Sequence, residues 1–134
     1  MNKEPSLFSA VVTKAPVFDL IKHSQGASGS RKFPEYGNPN KPKELKFMLE
    51  NSPYQNVSKN KKYPANFIYT TSSDDRVPAF YGRKMAAKLK SYGNEVYYYE
   101  ADDGGHSGAS TLDQRAFWIS LKLNFFRKKL FKSK

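Results

Sequence analysis

The sequence contains no cysteine, which excludes disulfide bonds and thiolate metal sites. It has only two histidines, His23 and His106, and neither comes with a third ligand, so we expect no metal site and no cofactor. No apolar run approaches the roughly eighteen residues of a membrane span, and the first residues lack a signal-peptide pattern. These absences predict a soluble, cytoplasmic protein with no membrane partner.

Acidic residues are also few, since 12 Asp and Glu against 23 Lys and Arg give a formal net charge of +11. Such a charge suits nucleic acid or an acidic membrane surface. The lysines are scattered, however, with clusters only at residues 59–62 and 127–134, and neither zinc-finger spacing nor an aromatic RNA-binding signature accompanies them. We therefore expect no specific nucleic-acid binding.

Short apolar runs rich in β-formers predict three strands, at Leu7–Thr13, Asn66–Thr71 and Glu95–Glu100. The first resembles a strand buried on both faces of a parallel sheet. At 134 residues the chain is long enough for one domain and too short for two. A sheet of three strands would have two vulnerable edges, which suggests that part of it is missing.

Helical spacing of apolar residues follows each strand. It predicts helices at Lys43–Asn51, with Leu45, Met48 and Leu49 inward, at Pro78–Tyr92, ended by Gly93, and from Leu112 to Leu130. Residues 110–113 resemble a capping box for the last helix. We expect that helix to pack through a stripe of Leu112, Ala116, Ile119, Leu123, Phe126 and Leu130. Alternating strands and helices predict an α/β fold with three parallel strands and flanking helices.

Candidate catalytic residues follow the second and third predicted strands. Asp74, Asp75 and Arg76 come after the second strand, and His106 lies on a glycine-flanked loop after the third. Parallel strands end at the same edge of a sheet, so an aspartate and the imidazole can meet there. An Asp–His pair is the orienting acid and general base of hydrolytic triads. The alternative is that the aspartates form a turn or cap a helix, with the histidine an ordinary loop residue.

Five segments together resemble the carboxy-terminal part of the prolyl oligopeptidase family. They are Leu7–Val12, Glu35–Pro39, Ser52–Val57, Asp74–Val77 and Gly105–Ser107, and they occur in the family's order over essentially the whole chain. The resemblance implies the carboxy-terminal half of an α/β-hydrolase sheet and a serine-type peptidase activity.

The resemblance also implies roles for individual residues. It assigns the catalytic aspartate to Asp74, the catalytic histidine to His106 and a substrate-carbonyl ligand to Arg76, whose charged planar donor gives strong, directional hydrogen bonds. It assigns nothing to Asp75, which is expected to cap the following helix.

The sequence departs from the family in two respects. No Gly-Xaa-Ser-Xaa-Gly motif occurs in it, and the family's nucleophile elbow and β-propeller have no counterpart in residues 1–134. The loop at residues 29–33 also lacks the tryptophan that stacks on the substrate proline in some members, which leaves the preference for proline open. Trp118 is expected in the core instead.

We therefore interpret the chain as a partial peptidase domain that is inactive alone. A separate chain carrying the serine half could restore a site for peptide substrates by joining the edge of the first strand. Two alternatives remain open: a non-catalytic remnant or basic interaction module, whose polyanion binding would weaken steeply with salt, and a degenerate product that does not fold stably.

Overall fold

The computed structural model describes residues 1–26, 31 and 33–131. Its strands are β1 (Ala10–Lys14), β2 (Ala65–Thr71) and β3 (Val96–Ala101). Its helices are α1 (Leu20–Gln25), α2 (Phe33–Tyr36), α3 (Pro42–Asn51), α4 (Phe80–Ser91) and α5 (Leu112–Leu130). Single 3-10 turns occupy Pro5–Leu7 and Gly105–Ser107. Residues 27–30 and 32, which include most of the loop at 29–33 discussed for the substrate proline, lie outside the described residues.

The three strands form one parallel sheet, as predicted, and their order is β1-β2-β3. The central strand β2 is almost entirely buried, whereas β1 and β3 are partly exposed. Strands β2 and β3 end level with one another, because their last residues, Thr71 and Ala101, are paired, whereas β1 ends at Lys14, opposite Tyr69. The loops that follow β2 and β3 therefore emerge side by side.

Helix α4 packs on one face of the sheet. Met85 and Leu89 are fully buried there against Ile68 of β2. Gly82 permits this close approach, since a Cβ at that position would lie 2.6 Å from Thr70 Cγ2. The helix ends as predicted, with Gly93 in the left-handed region at φ +77°.

Helix α5 covers the opposite face, mainly through residues outside the predicted stripe, and Trp118 lies in the core as expected. Trp118 and Phe125 are buried against Phe67 and Tyr69 of β2. Most of the predicted stripe is exposed, namely Leu112, Ala116, Ile119, Leu123 and Leu130. The helix carries apolar residues around much of its circumference, so its periodicity does not single out the face on which the large aromatic rings pack.

Three local expectations were also wrong. Leu7 lies in a 3-10 turn and is exposed, so β1 begins three residues later than predicted. Leu49 of α3 is exposed rather than buried. The capping box of α5 lies one residue later than predicted: Thr111 Oγ1 accepts from Gln114 N while Gln114 Oε1 accepts from Thr111 N.

The outer edge of β1 pairs with no other strand among the described residues. A cavity of about 470 Å³ lies beside it on the α4 face, lined in part by Val11, Phe18, Met85 and Leu89. An unpaired strand next to an apolar cavity is the arrangement expected where a sheet continues into a neighbouring element. In the part of the chain that the structure describes, no helix has both the length and the apolar character that crossing a membrane requires.

Candidate active site

Asp74 lies in the turn directly after β2, and its side chain is only 1% exposed. Its Oδ1 accepts hydrogen bonds from Arg76 N at 2.9 Å and from Val77 N at 2.8 Å. A short side chain after a strand can fold back onto the next backbone amides in this way. These two bonds fix the carboxylate, so that Oδ2 faces away from the turn.

His106 lies in the 3-10 turn after β3, between two glycines in left-handed conformations. Gly104 has φ +105° and Gly108 has φ +83°. A Cβ at Gly104 would lie 2.6 Å from Ala109 N, too close for any side chain. The loop can therefore fold tightly back on itself and present His106 at the edge of the sheet.

The structure brings Asp74 and His106 together, as the sequence predicted. His106 Nδ1 lies 3.0 Å from Asp74 Oδ2 and 3.2 Å from Oδ1. An ionised carboxylate only accepts hydrogen bonds, so Nδ1 carries the proton and Nε2 of the neutral ring is left as an acceptor. The imidazole is 40% exposed, and Nε2 bonds to no residue in the described part of the chain. This pair can accept a proton from a group placed outside it.

The pKa of Asp74 reflects two opposing influences. Burial favours the neutral carboxyl, but hydrogen bonds from Val77 N, His106 and Arg76 N, together with the charge of His106, outweigh it and hold the pKa below the usual aspartate value. Asp74 is therefore ionised at neutral pH, as an orienting acid must be.

This lowered pKa predicts a specific loss of stability in acid. Because Asp74 has a lower pKa in the folded than in the unfolded state, its stabilisation is complete above the unfolded pKa of about 3.9. It is lost as the pH falls through the folded value. Urea unfolding of the wild type and Asp74→Asn at several pH values should show a stability gap at pH 7 that narrows below pH ~4. A gap independent of pH would contradict the assignment.

Side chains of the β2 segment also hold the His106 loop, which the sequence did not predict. Thr71 Oγ1 donates to Gly105 O at 2.6 Å, and Ser73 Oγ accepts from Gly105 N at 3.1 Å. Between them, Ser72 Oγ donates to Asp102 O at 2.7 Å. Hydroxyl-to-backbone bonds between loops about thirty residues apart follow no periodic pattern, so sequence alone could not locate them.

The carboxyl-terminal half of the His106 loop rests on two further side chains. The Tyr69 hydroxyl donates to Gly108 O, and Lys14 Nζ donates to Ser107 O. Lys14 belongs to the edge strand β1 and Tyr69 to the central strand β2, so two strands besides β3 hold the loop. All three strands thus contribute to the position of His106.

The other candidate residues named from the sequence do not contact the Asp74–His106 pair through their side chains. Arg76 directs its side chain to solvent next to Asp74, without a hydrogen bond or ion pair to any residue the structure describes. Asp75 is exposed and does not cap α4, whose N-cap is Ala79. His23 is buried, with its ring in edge contact with aromatic rings of α2 and α4.

The sequence matches the model of one protein family over almost its whole length. The model of the prolyl oligopeptidase family matches residues 1–133. The chain belongs to the prolyl oligopeptidase family. An uncharacterized peptidase of Sinorhizobium fredii is 37% identical over 134 residues, which are 100% of this chain and 18% of that protein. The prolyl endopeptidase of Dictyostelium discoideum is 28% identical over 96% of this chain and 18% of its own length.

Solved structures of the family show the same architecture. A post-proline cleaving enzyme from Rickettsia typhi superposes with a TM-score of 0.92 at 30% identity, over 97% of this chain and 19% of its own. Oligopeptidase B from Leishmania major gives 0.86 at 27% identity, over 96% of this chain and 19% of its own. The three parallel strands and their helices are thus part of an α/β-hydrolase fold, and the 134 residues span about a fifth of these relatives.

Proposed function

We propose that this prolyl oligopeptidase family chain carries the acid and base of a serine peptidase site, Asp74 and His106, and that residues outside the 134 supply the nucleophile. The contact between His106 Nδ1 and the buried Asp74 carboxylate is the main support. The lack of a Gly-Xaa-Ser-Xaa-Gly motif in the sequence supports the second part. On this proposal the chain is a partial peptidase domain without elbow or propeller, and is inactive alone.

The two residues would act in sequence on a serine hydroxyl. His106 Nε2 takes the hydroxyl proton as the serine oxygen bonds to the carbonyl carbon of the peptide. The imidazolium is stabilised by Asp74 through the Nδ1–H bond, and then gives its proton to the leaving amine as the carbon–nitrogen bond breaks. A water molecule, deprotonated by the same Nε2, then bonds to the acyl carbon, and the proton passes to the serine oxygen as its bond to that carbon breaks. Without the serine no acyl-enzyme forms.

Arg76 would bind a carbonyl of the peptide substrate. Its guanidinium is exposed, while its backbone amide is bonded to the Asp74 carboxylate. The orienting acid and the arginine therefore share one short, fixed segment, which suits a residue that orients substrate near the reacting bond. A planar donor with several N–H groups can hold a carbonyl with directional hydrogen bonds.

A separate chain carrying the serine half is the partner we propose. It would add its strand to the unpaired edge of β1 and place apolar residues in the neighbouring cavity. The relatives have additional regions that make up about four fifths of each, and a serine half of this kind corresponds to part of those regions. Joining at β1 would extend the small sheet from the strand whose Lys14 contacts the His106 loop.

Reassembly can be tested by mixing the purified chain with the remaining portion of the Sinorhizobium fredii peptidase. We expect cleavage of a peptide with an internal proline, and labelling by a serine-reactive fluorophosphonate, only in the mixture. Each half alone is the control, and sedimentation velocity reports whether the halves associate. Association without labelling or cleavage would contradict the catalytic proposal, whereas no association would contradict the proposed partner.

A further inference from the structure

Both backbone polar groups of Gly105, the residue before His106, are bonded to side chains of the segment that ends in Asp74. Thr71 donates to Gly105 O and Ser73 accepts from Gly105 N. We propose that Thr71 and Ser73 are positioning residues, which set the separation and alignment of the Asp74 carboxylate and the His106 imidazole. This inference rests on the proposed function, since it concerns the geometry of the same pair.

Gly105 needs such an anchor because packing does not hold it. A Cβ at this position would meet no atom within 4 Å, so no other group packs against that side of the residue. Its φ of +52° and the left-handed Gly104 before it belong to a backbone that can adopt many conformations. Gly105 O also accepts a hydrogen bond from Gly108 N at 3.1 Å, but that bond stays within the loop. The two hydrogen bonds from the β2 segment are therefore those that tie Gly105 to the segment carrying Asp74.

Other hydroxyl groups near the site do not make this connection. Ser72 bonds Ala101 O and Asp102 O, at the end of β3, three or more residues before Gly105. Ser107 bonds Gly104 O and Ala109 O, which lie in its own loop. Among the described hydroxyls, Thr71 and Ser73 alone join Gly105 to the segment that carries Asp74. Their hydrogen bonds connect the loop after β2 to the loop after β3 at the residue next to His106.

The first test measures the pair without catalysis, in the 134-residue chain. The Asp74 carboxyl carbon is followed by NMR during an acid titration in the wild type, His106→Ala and the double variant Thr71→Val/Ser73→Ala. Because the His106 contact helps to lower the Asp74 pKa, we expect the double variant to titrate at a higher pH than the wild type, toward His106→Ala. A wild-type titration in the folded double variant would overturn the proposal.

Two further variants keep this test decisive. Ser91→Ala removes an exposed serine that bonds Lys88 O on α4, away from the site, and should leave the Asp74 titration unchanged. If the double variant does not fold, Ser73→Ala alone replaces it, because Ser73 is exposed and its removal opens no cavity. A smaller shift in the same direction is expected there, and no shift would again overturn the proposal.

The second test uses the mixture with the serine half. The double variant should lower kcat by tenfold or more, on the order expected for a misplaced catalytic group, and leave KM within about twofold. Thr71→Ser with Ser73→Thr, which keep both hydroxyls, should restore kcat. A rise in KM at constant kcat would contradict a positioning role. An inactive wild-type mixture would contradict the proposed function instead, and the Asp74 titration would still decide the role of Thr71 and Ser73.

Discussion

Replacing Asp74 by Asn is expected to lower kcat of the reassembled peptidase by about 10⁴-fold, with KM nearly unchanged. The oxygen of the introduced amide would stay with the backbone amides of Arg76 and Val77, which now bond Asp74 Oδ1. The amide nitrogen would then face His106 Nδ1 in place of Oδ2. Nδ1 would have to accept, which moves the ring proton to Nε2 and leaves no acceptor for the serine proton.

Asp75→Asn is the matched control for this experiment. Asp75 is the adjacent aspartate, is exposed and caps no helix. The kcat of the Asp75→Asn variant should therefore remain within about twofold of the wild-type value. The pair of variants separates a local role from the general loss of a negative charge. If Asp75→Asn lost as much activity as Asp74→Asn, the assignment of the orienting acid would be wrong.

Replacing Leu89 by Ala is expected to destabilise the chain by about 2–5 kcal/mol, the usual range for a buried leucine. Leu89 is 0% exposed and packs among Val57, Ile68 and Met85 between α4 and the sheet. The substitution removes apolar contacts and leaves a cavity next to the central strand. Urea unfolding followed by circular dichroism measures the loss, and a cooperative wild-type transition would itself exclude the degenerate, unfolded product.

Leu123→Ala provides the same chemical change at an exposed position. Leu123 lies within α5 and is 58% exposed. The free energy of unfolding of the Leu123→Ala variant should therefore differ from that of the wild type by less than about 0.5 kcal/mol. The periodicity of the sequence predicted the opposite for this residue. A loss equal to that of Leu89→Ala would show that α5 packs through the predicted stripe and not through Trp118 and Phe125.

Much of the fold and the central pair could be predicted from sequence. Short β-rich runs indicated the three strands, and parallel order alone required that Asp74 and His106 emerge at one edge. The family resemblance then named the same two residues. These features depend on local composition and on chain direction, both of which can be read without coordinates.

The wrong or missing predictions concern features that depend on tertiary contacts, because the sequence pattern there is compatible with more than one arrangement. Helix α5 is apolar on more than one side, and only the aromatic faces of Phe67 and Tyr69 in β2 explain why Trp118 and Phe125 turn inward. The hydroxyl bonds to Gly105 were missed for a related reason. A serine or threonine after a strand usually indicates a turn, and its partner depends on how the next strand is placed.

The contact between Lys14 Nζ and Ser107 O joins the edge strand β1 to the loop that carries His106. Lys14 is the last residue of β1, the strand with the unpaired edge. Its side chain passes so close to Gly108 that a Cβ at Gly108 would lie 2.5 Å from Lys14 Cε. On the proposed assembly, a partner that pairs with β1 would act on the backbone next to His106 through the Lys14 side chain. If the proposed serine-bearing chain binds there, its pairing with β1 would help to align the imidazole of His106 with the serine that it brings.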